Sequence, residues 1–448
     1  MRTLQIVLLT LACSTIMFAQ GDGLNARHIA MEVRSEFLHS WRAYKQYAWG
    51  HDGLKPLSKG YYDWYTEPFF MTAVDALDTM ILMGLTGEAD STREFIARNL
   101  SFDKDVYVKN FEITIRLLGG LISSYQLTGD ARLLALADDL GTRLLPAFKS
   151  PTGMPYVDVN LKTGEVRGTI SNPAEIGTLL LEFGTLSMLT GKTVYYNTVK
   201  YALLRLYQAR SDIDLVGQSI DVTTGAWTNP SSHISAAIDS YYEYLLKCSL
   251  LFDDSDCAMM WQTSIKAIQA HLADSSATGL WYGHVDMNTG KRLKTVFGAL
   301  DAFFPAVLAL SGDLDHATRL QASCFSMWNR HGIEPERFNY GTMQVESPPY
   351  YLNPEIMESA YYLYHYTRDS LYLQMGKTFF DSLKTYCRTQ SGYCELRSVI
   401  TKEKSDRMES YFLAETLKYL YLLFSPPETL DFGSVIFNTE AHPIRRTW

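Results

Sequence analysis

Acidic residues recur at the starts of apolar, aromatic-rich stretches whose spacing is helical. A single acid in such a place commonly caps a helix or pairs with its dipole. Seven stretches of this kind follow one another, led by Asp75 with Asp78, Glu112, Glu182, Asp239 with Glu243, Asp301, Glu355 with Glu358, and Glu409 with Glu415. So many acids among apolar neighbours indicate carboxylates that converge on one site.

Spacing within these stretches also places charged side chains side by side. Residues three or four apart share a helix face, which pairs Glu112 with Arg116, Asp239 with Glu243, and Glu355 with Glu358. Converging carboxylates repel one another and shift each other's pKa values. A catalytic role or a bound cation usually explains such crowding.

Two chemistries use clustered carboxylates without a nucleophilic Cys or Ser. Glycoside hydrolysis uses one carboxyl group as acid and another as base, and calcium binds through oxygen ligands. The two can share a site. The 10 His residues show no HExxH-type spacing, and the chain has neither a GxGxxG nor a P-loop pattern.

A helical repeat must position these acids. Each acid-headed helix stops at a Gly or Asp turn, and a second amphipathic helix, such as residues 131–148, fills the gap to the next. Two helices per unit indicate a stacked or closed array. The uneven units and long loops favour a closed toroid. We therefore expect an all-α fold with small β-hairpins in its loops, for instance within 151–167 and 221–232, and one domain over residues 24–448.

Composition excludes several classes of protein. The 448 residues are 47% apolar and 13% aromatic, and the net charge is −9. The apolar content argues against disorder, and the acidic balance argues against a nucleic-acid partner. No stretch of the mature chain reaches the roughly 20 apolar residues that span a bilayer. We expect a monomer without a membrane span.

The N-terminus is typical of an export signal. A basic start precedes the apolar run 4–12, and small residues lead to Ala19, which predicts a signal peptide over residues 1–19. Lipidation at Cys13 is a second option. We expect a secreted or periplasmic protein, with a lipoprotein or residence in the endoplasmic reticulum lumen as alternatives. In an oxidising compartment disulfides are possible between Cys387 and Cys394 or between Cys248 and Cys257.

At these residues the sequence resembles glycoside hydrolase family 47, the class I α-mannosidases. The similarity runs from about Trp41 to Pro443, and it is carried by the segments 47–52, 56–58, 75–79, 111–121, 181–183, 239–245, 354–359, 408–420 and 437–443. The joint order of these segments is more specific than any one of them.

The resemblance implies an (α/α)7 barrel and calcium-dependent, inverting hydrolysis of terminal α-1,2-linked mannose in an oligosaccharide or glycoprotein glycan. It also implies that Thr439 binds Ca2+ through its hydroxyl and carbonyl oxygens. Glu355 corresponds to the base, and Glu112 to the acid, with Asp239 as the rival acid. The residues implied to bind substrate or the waters around the cation are Arg116, Glu182, Glu243, Glu358, Glu409 and Glu440.

Two positions depart from the family pattern. Ala237 and Asn353 stand where family members carry arginines, which puts branch preference in doubt, and 300–305 is closer to the degradation-enhancing mannosidase-like branch. Three alternatives therefore remain beside the enzyme: a lectin-like or chaperone-like protein with little or no turnover, an α/α-barrel glycosidase for another sugar, and a helical scaffold without a pocket.

Overall fold

The computed structural model describes residues 25–448, so the signal-peptide prediction for 1–19 lies outside the described residues. The described chain alternates between an outer and an inner layer of helices. The outer helices are α1 (Ala26–Tyr47), α4 (Thr86–Asn99), α7 (Ala131–Leu144), α10 (Val194–Gln208), α12 (Ser255–Ala267), α14 (Leu314–His331) and α16 (Ser370–Ser382). The inner helices are α2 (Met71–Asp75) with α3 (Leu77–Leu82), α5 (Asn110–Ile113) with α6 (Gly119–Thr128), α8 (Pro173–Gly177) with α9 (Leu180–Thr190), α11 (Asp239–Phe252), α13 (Phe304–Ser311), α15 (Glu355–Thr367) and α17 (Leu417–Phe424).

Burial separates the two layers. Inner helix α9 buries eight of its 11 residues, whereas outer helix α7 buries five of its 14. A helix that is apolar nearly all round needs neighbours on every side, while an amphipathic helix covers the layer beneath it. The sequence periodicity therefore sorts the helices into layers.

The inner helices form a closed ring. Each of α6, α9, α11, α13 and α15 packs against the next, and the π-helical segment Phe412–Thr416 at the start of α17 returns to α2 and α3. Outer helix α1 packs along inner helix α17. The all-α (α/α)7 barrel expected from the sequence is confirmed.

Glycine and aspartate make the turns between the layers. Gly129, Gly191 and Gly312 end inner helices in the left-handed region, with φ of 75°, 73° and 92°. Glycine adopts this conformation without a steric penalty. Asp130 and Asp313 then accept backbone N–H groups as caps of the following outer helices.

Short antiparallel strands decorate the loops in sheets of two or three strands. In chain order the described strands are β1 Gly53–Lys55, β2 Gly60–Tyr62, β3 Tyr107–Lys109, β4 Asp158–Asn160, β5 Val166–Arg167, β6 Ile170–Ser171, β7 Ser219–Asp221, β8 Trp227–Asn229, β9 Ser231–Ser232, β10 Ala273–Ser276, β11 Gly279–Tyr282, β12 His284–Asp286, β13 Arg292–Lys294, β14 Val296–Phe297, β15 Arg337–Asn339, β16 Gln344–Ser347, β17 Arg388–Thr389, β18 Gly392–Tyr393, β19 Val435–Phe437 and β20 Pro443–Arg445. Both hairpins expected from the sequence are present, as β4–β5 and β7–β8.

The β19–β20 hairpin enters the barrel as a plug. Its turn, residues 438–442, lies against the start of α6. A Cβ atom on Gly119 would lie 2.6 Å from Nδ2 of Asn438, so only glycine allows this close approach. The Gly119-Gly120 pair thus admits the segment that carries Thr439.

The expected disulfides are not formed. All five cysteines in the described chain are free and buried. The Cys394 thiol donates to the carbonyl oxygen of Cys387 at 3.3 Å, and Cys257 Sγ lies 3.7 Å from Nζ of Lys200. The Cys257 thiol is also a hydrogen-bonding neighbour of Cys248, but the two sulfurs are not bonded. Within residues 25–448, every helix is too short or too polar to cross a membrane.

Candidate active site

The N-terminal ends of the inner helices open into a cavity of about 630 Å³. Nine carboxylate residues line it, namely Glu112, Glu175, Asp239, Glu336, Glu355, Glu395, Glu409, Glu415 and Glu440. Helix N-termini carry partial positive charge, so acids are favoured there. Four of the seven acid-headed stretches, those led by Glu112, Asp239, Glu355 and Glu409, thus contribute acids to one mouth.

Seven of the site residues expected from the sequence line this cavity, and they are Glu112, Arg116, Asp239, Glu355, Glu409, Thr439 and Glu440. The other three, Glu182, Glu243 and Glu358, are buried beneath it. Position along a helix separates the two groups: Asp239 and Glu355 begin α11 and α15, whereas Glu243 and Glu358 lie one turn further in.

The three deeper acids hold the floor of the cavity together. Glu182 accepts hydrogen bonds from the Tyr244 hydroxyl at 2.6 Å and from Nδ2 of Asn438 at 2.8 Å. Glu243 pairs with the buried Lys247. Nζ of the same lysine lies 3.7 Å from a carboxylate oxygen of Glu358. One lysine thus partly neutralises two acids, as buried charges require.

Thr439 is held by its backbone and leaves its oxygen atoms open. Its N–H donates to the Tyr244 hydroxyl at 3.3 Å. Asn438 Oδ1 accepts the N–H groups of Glu440 and His442, which closes the turn. Neither the hydroxyl nor the carbonyl oxygen of Thr439 is hydrogen-bonded to another described residue.

A buried charge cluster supports this turn from below. Nδ1 of His442 lies 2.7 Å from Asp78, and Nε2 lies 3.4 Å from Asp75. Lys418 contacts Asp78 at 2.8 Å and donates to the carbonyl oxygen of Ala441 at 2.6 Å. Burial lowers the pKa of His442, but the negative charge of Asp78, aided by Asp75, outweighs this and raises it to about 9. A raised pKa favours the protonated ring of His442 at neutral pH.

Arg116 joins the cavity wall to the plug. It lies in a π-helical turn, Thr114–Leu118, a local widening that is frequent at functional sites. Its Nε donates to Glu112 at 3.2 Å, and its Nη1 pairs with Glu440. The guanidinium carbon also lies over the rings of Trp64 and Tyr411, 5.0 and 5.5 Å from their centroids. Arg116 is thus held by two carboxylates and two aromatic rings.

Burial and mutual repulsion raise the pKa values of the cavity acids. Burial, with the nearby Glu243 and Glu112, raises the pKa of Asp239 to about 7. Burial raises the pKa of Glu355 well above its usual range, and Glu358 and Asp239 add to this. Burial, with the nearby carboxylates of Glu440 and Glu355, likewise raises the pKa of Glu415 well above its usual range. Such a cluster readily holds protons at neutral pH and favours a cation.

The residues present fit a calcium ion. Calcium prefers oxygen ligands and often keeps water in its shell, and the two open oxygens of Thr439 lie on the same cavity as Glu355 and Glu440. Glu182 Oε2 and Glu355 Oε2 are buried without a hydrogen-bond partner, so acceptors are available to hold water. Within residues 25–448, no group of three or more His, Cys, Asp or Glu side chains is arranged to ligate a metal directly.

Several lining residues were given no role from the sequence. Glu415 belongs to the helix-heading acids, but its position does not reveal that it reaches the cavity. Glu336, Arg407 and Tyr411 come from loops or a helix start, where sequence periodicity carries no signal. Ala237 and Asn353 also line the cavity, so both departures from the family pattern lie at the site itself.

This barrel with a carboxylate-lined mouth is the architecture of a glycosyl hydrolase family. The chain belongs to glycosyl hydrolase family 47, whose family model matches residues 36–446. This confirms the resemblance seen in the sequence.

The comparisons with individual proteins agree. The chain is 39% identical to alpha-mannosidase I MNS4 of Arabidopsis thaliana, over 93% of this chain and 69% of that protein. It is 37% identical to ER degradation-enhancing alpha-mannosidase-like protein 2 of Mus musculus, over 95% and 79%. The solved alpha-1,2-mannosidase from Trichoderma reesei superposes with a TM-score of 0.87 at 27% identity, covering 94% of this chain and all of that one.

Proposed function

We propose that this protein is a calcium-dependent, inverting exo-mannosidase that releases terminal α-1,2-linked mannose from high-mannose glycans or mannans. The observation that carries the proposal is one cavity that holds Glu112, Asp239 and Glu355 together with the open oxygens of Thr439. Similarity to the Trichoderma reesei alpha-1,2-mannosidase supports the linkage.

Inversion needs a base on one side of the sugar and an acid on the other. We assign Glu355 as the base that takes a proton from the attacking water. Its unpartnered Oε2 leaves an acceptor free for that water. A positive charge held at Thr439 favours the ionised form of Glu355, which a base needs.

Glu112 and Asp239 are the two candidates for the acid that protonates the leaving oxygen. Asp239 has a pKa raised to about 7, as an acid that stays protonated near neutral pH requires. Glu112 receives a hydrogen bond from Arg116 at 3.2 Å and reaches the same cavity. We keep Glu112 as the primary assignment and Asp239 as its rival, and the pH profiles of the two variants decide between them.

Thr439 would hold calcium through its two oxygens, and Glu182, Glu355, Glu358, Glu409 and Glu440 would hold the surrounding waters. When bound there, calcium supplies a hard cation that orients sugar hydroxyls and favours a distorted ring. Arg116 and Glu243 would keep the wall and floor in place. A cation bound at Thr439 would offset the repulsion among these carboxylates.

The decisive experiment follows mannose release from α-1,2-mannobiose by NMR, with and without EDTA. We expect β-mannose as the first product, because inversion reverses the anomeric configuration, and we expect EDTA to abolish the reaction. Release of α-mannose would refute inversion, and full activity in EDTA would refute the need for a cation.

A lectin-like protein of the same fold is the second candidate. Ala237 and Asn353 place small uncharged side chains on the cavity, where fewer charged contacts hold a sugar beyond the cleaved residue. If glycan binds but no mannose is released after prolonged incubation, this candidate replaces the enzyme.

We also propose that residues 24–448 act as one catalytic domain, monomeric and exported after removal of 1–19. The name of the Mus musculus relative refers to the endoplasmic reticulum, which suits a protein of an exported pathway. Intact-mass measurement of the mature protein and its sedimentation velocity test these points. A retained N-terminus or a stable dimer would contradict them.

A further inference from the structure

A polar pocket of about 480 Å³ lies between outer helix α1, the β17–β18 hairpin and the β1–β2 turn. Among the described residues its lining includes Arg42, Lys59 and Arg388 and no Asp or Glu, so we call it the basic pocket. The chain as a whole has a net charge of −9, and three cationic side chains around one pocket are an exception to that balance. No described residue lines both this pocket and the cavity of the candidate active site.

Helix α1 contributes one polar stripe to the pocket. Four lining residues lie three or four positions apart and therefore share a helix face, namely Ser35, His39, Arg42 and Gln46. Arg42 is exposed and forms no ion pair within residues 25–448. Lys45 of the same helix does not line the pocket and pairs with Glu88 at 3.1 Å. The positive charge of Arg42 is thus uncompensated, whereas that of Lys45 is matched.

Lys59 comes from the turn between β1 and β2. Its φ of 58° lies in the left-handed region, which is uncommon for a residue other than glycine. Such strain is concentrated at binding sites and other functional positions. Nζ of Lys59 lies 6.0 Å from the centroid of the Tyr47 ring, and this lysine too forms no ion pair in the part of the chain that the structure describes. Two uncompensated cations, Lys59 and Arg42, therefore line one pocket.

The β17–β18 hairpin supplies a buried hydroxyl group. Nε2 of His39 lies 3.0 Å from the carbonyl oxygen of Thr389 and 3.2 Å from the backbone nitrogen of Gly392, which fastens the hairpin to α1. Ser391 is only 4% exposed and lines the pocket. Its hydroxyl forms no hydrogen bond with another described residue. Buried hydroxyl groups are normally hydrogen-bonded, so Ser391 has a free donor for a ligand.

The charges of the pocket favour a phosphate monoester. Glu36 pairs with Arg388 at 2.7 Å and matches one of the three cationic side chains, which leaves the charges of Arg42 and Lys59. A phosphate monoester carries about −1.5 to −2 charges at pH 7, and guanidinium and ammonium groups bind its oxygens through charge-assisted hydrogen bonds. A sulfate ester has a single negative charge and would leave one cation unmatched.

The other lining groups suit a sugar as the alcohol part of that ester. Gln46 and Gln390 are exposed at the rim, and an amide can both donate to and accept from hydroxyl groups. Ala43 and Tyr47 are the apolar members of the described lining, too few to cover an acyl chain. The half-buried ring of Tyr47 offers a flat face to a pyranose ring. The volume of the pocket is in the range that binds small organic molecules.

We propose that the basic pocket binds a phosphorylated sugar, whose phosphate group is held by Arg42, Lys59 and the Ser391 hydroxyl. The phosphate relieves the repulsion between the two cations, and the sugar contacts Tyr47. This site goes beyond the proposed function, because it lies outside the mannose-cleaving cavity and needs no turnover.

Titration calorimetry of the full mature chain with glucose 6-phosphate tests the proposal. The probe is not a mannoside, and EDTA in the buffer keeps the proposed calcium site empty, so the heat reports on the basic pocket. Arg42→Gln and Lys59→Asn each remove one charge at an exposed position, and Asn tolerates the left-handed backbone of residue 59. We expect each variant to weaken the Kd about tenfold, or about 1.4 kcal/mol.

Lys45→Gln is the matched control, because it removes the same charge from α1 away from the pocket. Its Kd for glucose 6-phosphate should stay within twofold of the wild type, and circular dichroism should show that all variants are folded. Equal Kd values in the wild type, Arg42→Gln and Lys59→Asn, or no binding by the wild type, would overturn the site. A loss of affinity in Lys45→Gln as large as in Arg42→Gln would reduce the effect to net charge and would overturn it too.

Three further probes identify the ligand. We expect glucose 6-sulfate and inorganic phosphate to bind about tenfold more weakly than glucose 6-phosphate, and glucose to give no heat. Tyr47→Leu should weaken glucose 6-phosphate about fivefold and leave inorganic phosphate unchanged. Inorganic phosphate that binds as tightly as glucose 6-phosphate would assign the pocket to the free anion and overturn the sugar. Equal binding of the sulfate ester would overturn the match of charge. These outcomes do not depend on whether the protein releases mannose.

Discussion

Replacing His442 with Asn removes the buried cation between Asp75 and Asp78. All three side chains are fully buried, and His442 lies 2.7 Å from Asp78. The pKa of His442 is raised to about 9, against an unfolded value of about 6.5. A raised folded pKa means that protonation stabilises the fold, fully below about pH 6.5, and that this stabilisation disappears as the pH rises through 9.

The size of the effect follows from the shift. About 2.5 pKa units at 1.36 kcal/mol each correspond to about 3 kcal/mol of folding free energy. At pH 6 we expect His442→Asn to be less stable than the wild type by at least this amount. Between pH 6.5 and 9 the two stability curves converge by about 1.4 kcal/mol per pH unit, because only the wild type loses this proton on unfolding.

Urea unfolding followed by circular dichroism at pH 6, 7.5, 9 and 10 measures the difference. His316→Asn is the control, since His316 pairs with Asp313 at 2.9 Å on the surface, where such pairs contribute about 0–1 kcal/mol. Its curve should run parallel to that of the wild type. Parallel curves for His442→Asn as well would show that His442 is neutral in the folded protein and would refute the charged clamp.

Three further outcomes are expected. Glu355→Gln should lower kcat on α-1,2-mannobiose by about 10²–10⁴-fold with an unchanged Tm, and near-wild-type turnover would remove Glu355 as the base. Thr439→Ala should weaken calcium binding in titration calorimetry and reduce the rise in Tm on adding calcium, whereas unchanged affinity would place the metal elsewhere. If Asp239 is the acid, kcat/KM of the wild type falls above about pH 7, where Asp239 loses its proton. The pH profile of Asp239→Asn then lacks this fall, while that of Glu112→Gln keeps it. The reverse pattern assigns the acid to Glu112.

Sequence periodicity was sufficient to predict the helices of the barrel. Asp239 and Glu355 are the first residues of α11 and α15, and this position places their side chains at the mouth. Periodicity cannot show how far a side chain one turn inward lies below the cavity, so Glu243 and Glu358 were expected beside the substrate but pair with Lys247 on the floor. That depth depends on how the helices tilt in the ring.

Charges that pair across the chain were also invisible in the sequence. In the sequence Asp78 is one acid near the start of a helix, and His442 is a histidine far along the chain. Only the folded ring brings the two side chains to 2.7 Å from each other. The disulfides failed for a related reason, because closeness along the chain does not set the direction of a thiol. Cys394 points to a carbonyl oxygen rather than to the sulfur of Cys387.

The β19–β20 plug also constrains the order in which parts of the chain can fold. Arg116 and Glu440 are separated by 324 positions, and Asp78 and His442 by 364. A growing chain therefore holds Asp75 and Asp78 near its first helices long before their cation emerges from the ribosome. Because two uncompensated acids oppose burial, we expect the early helices to pack into the ring only after the plug has been made. Docking of the plug is then the step that completes the mouth of the barrel.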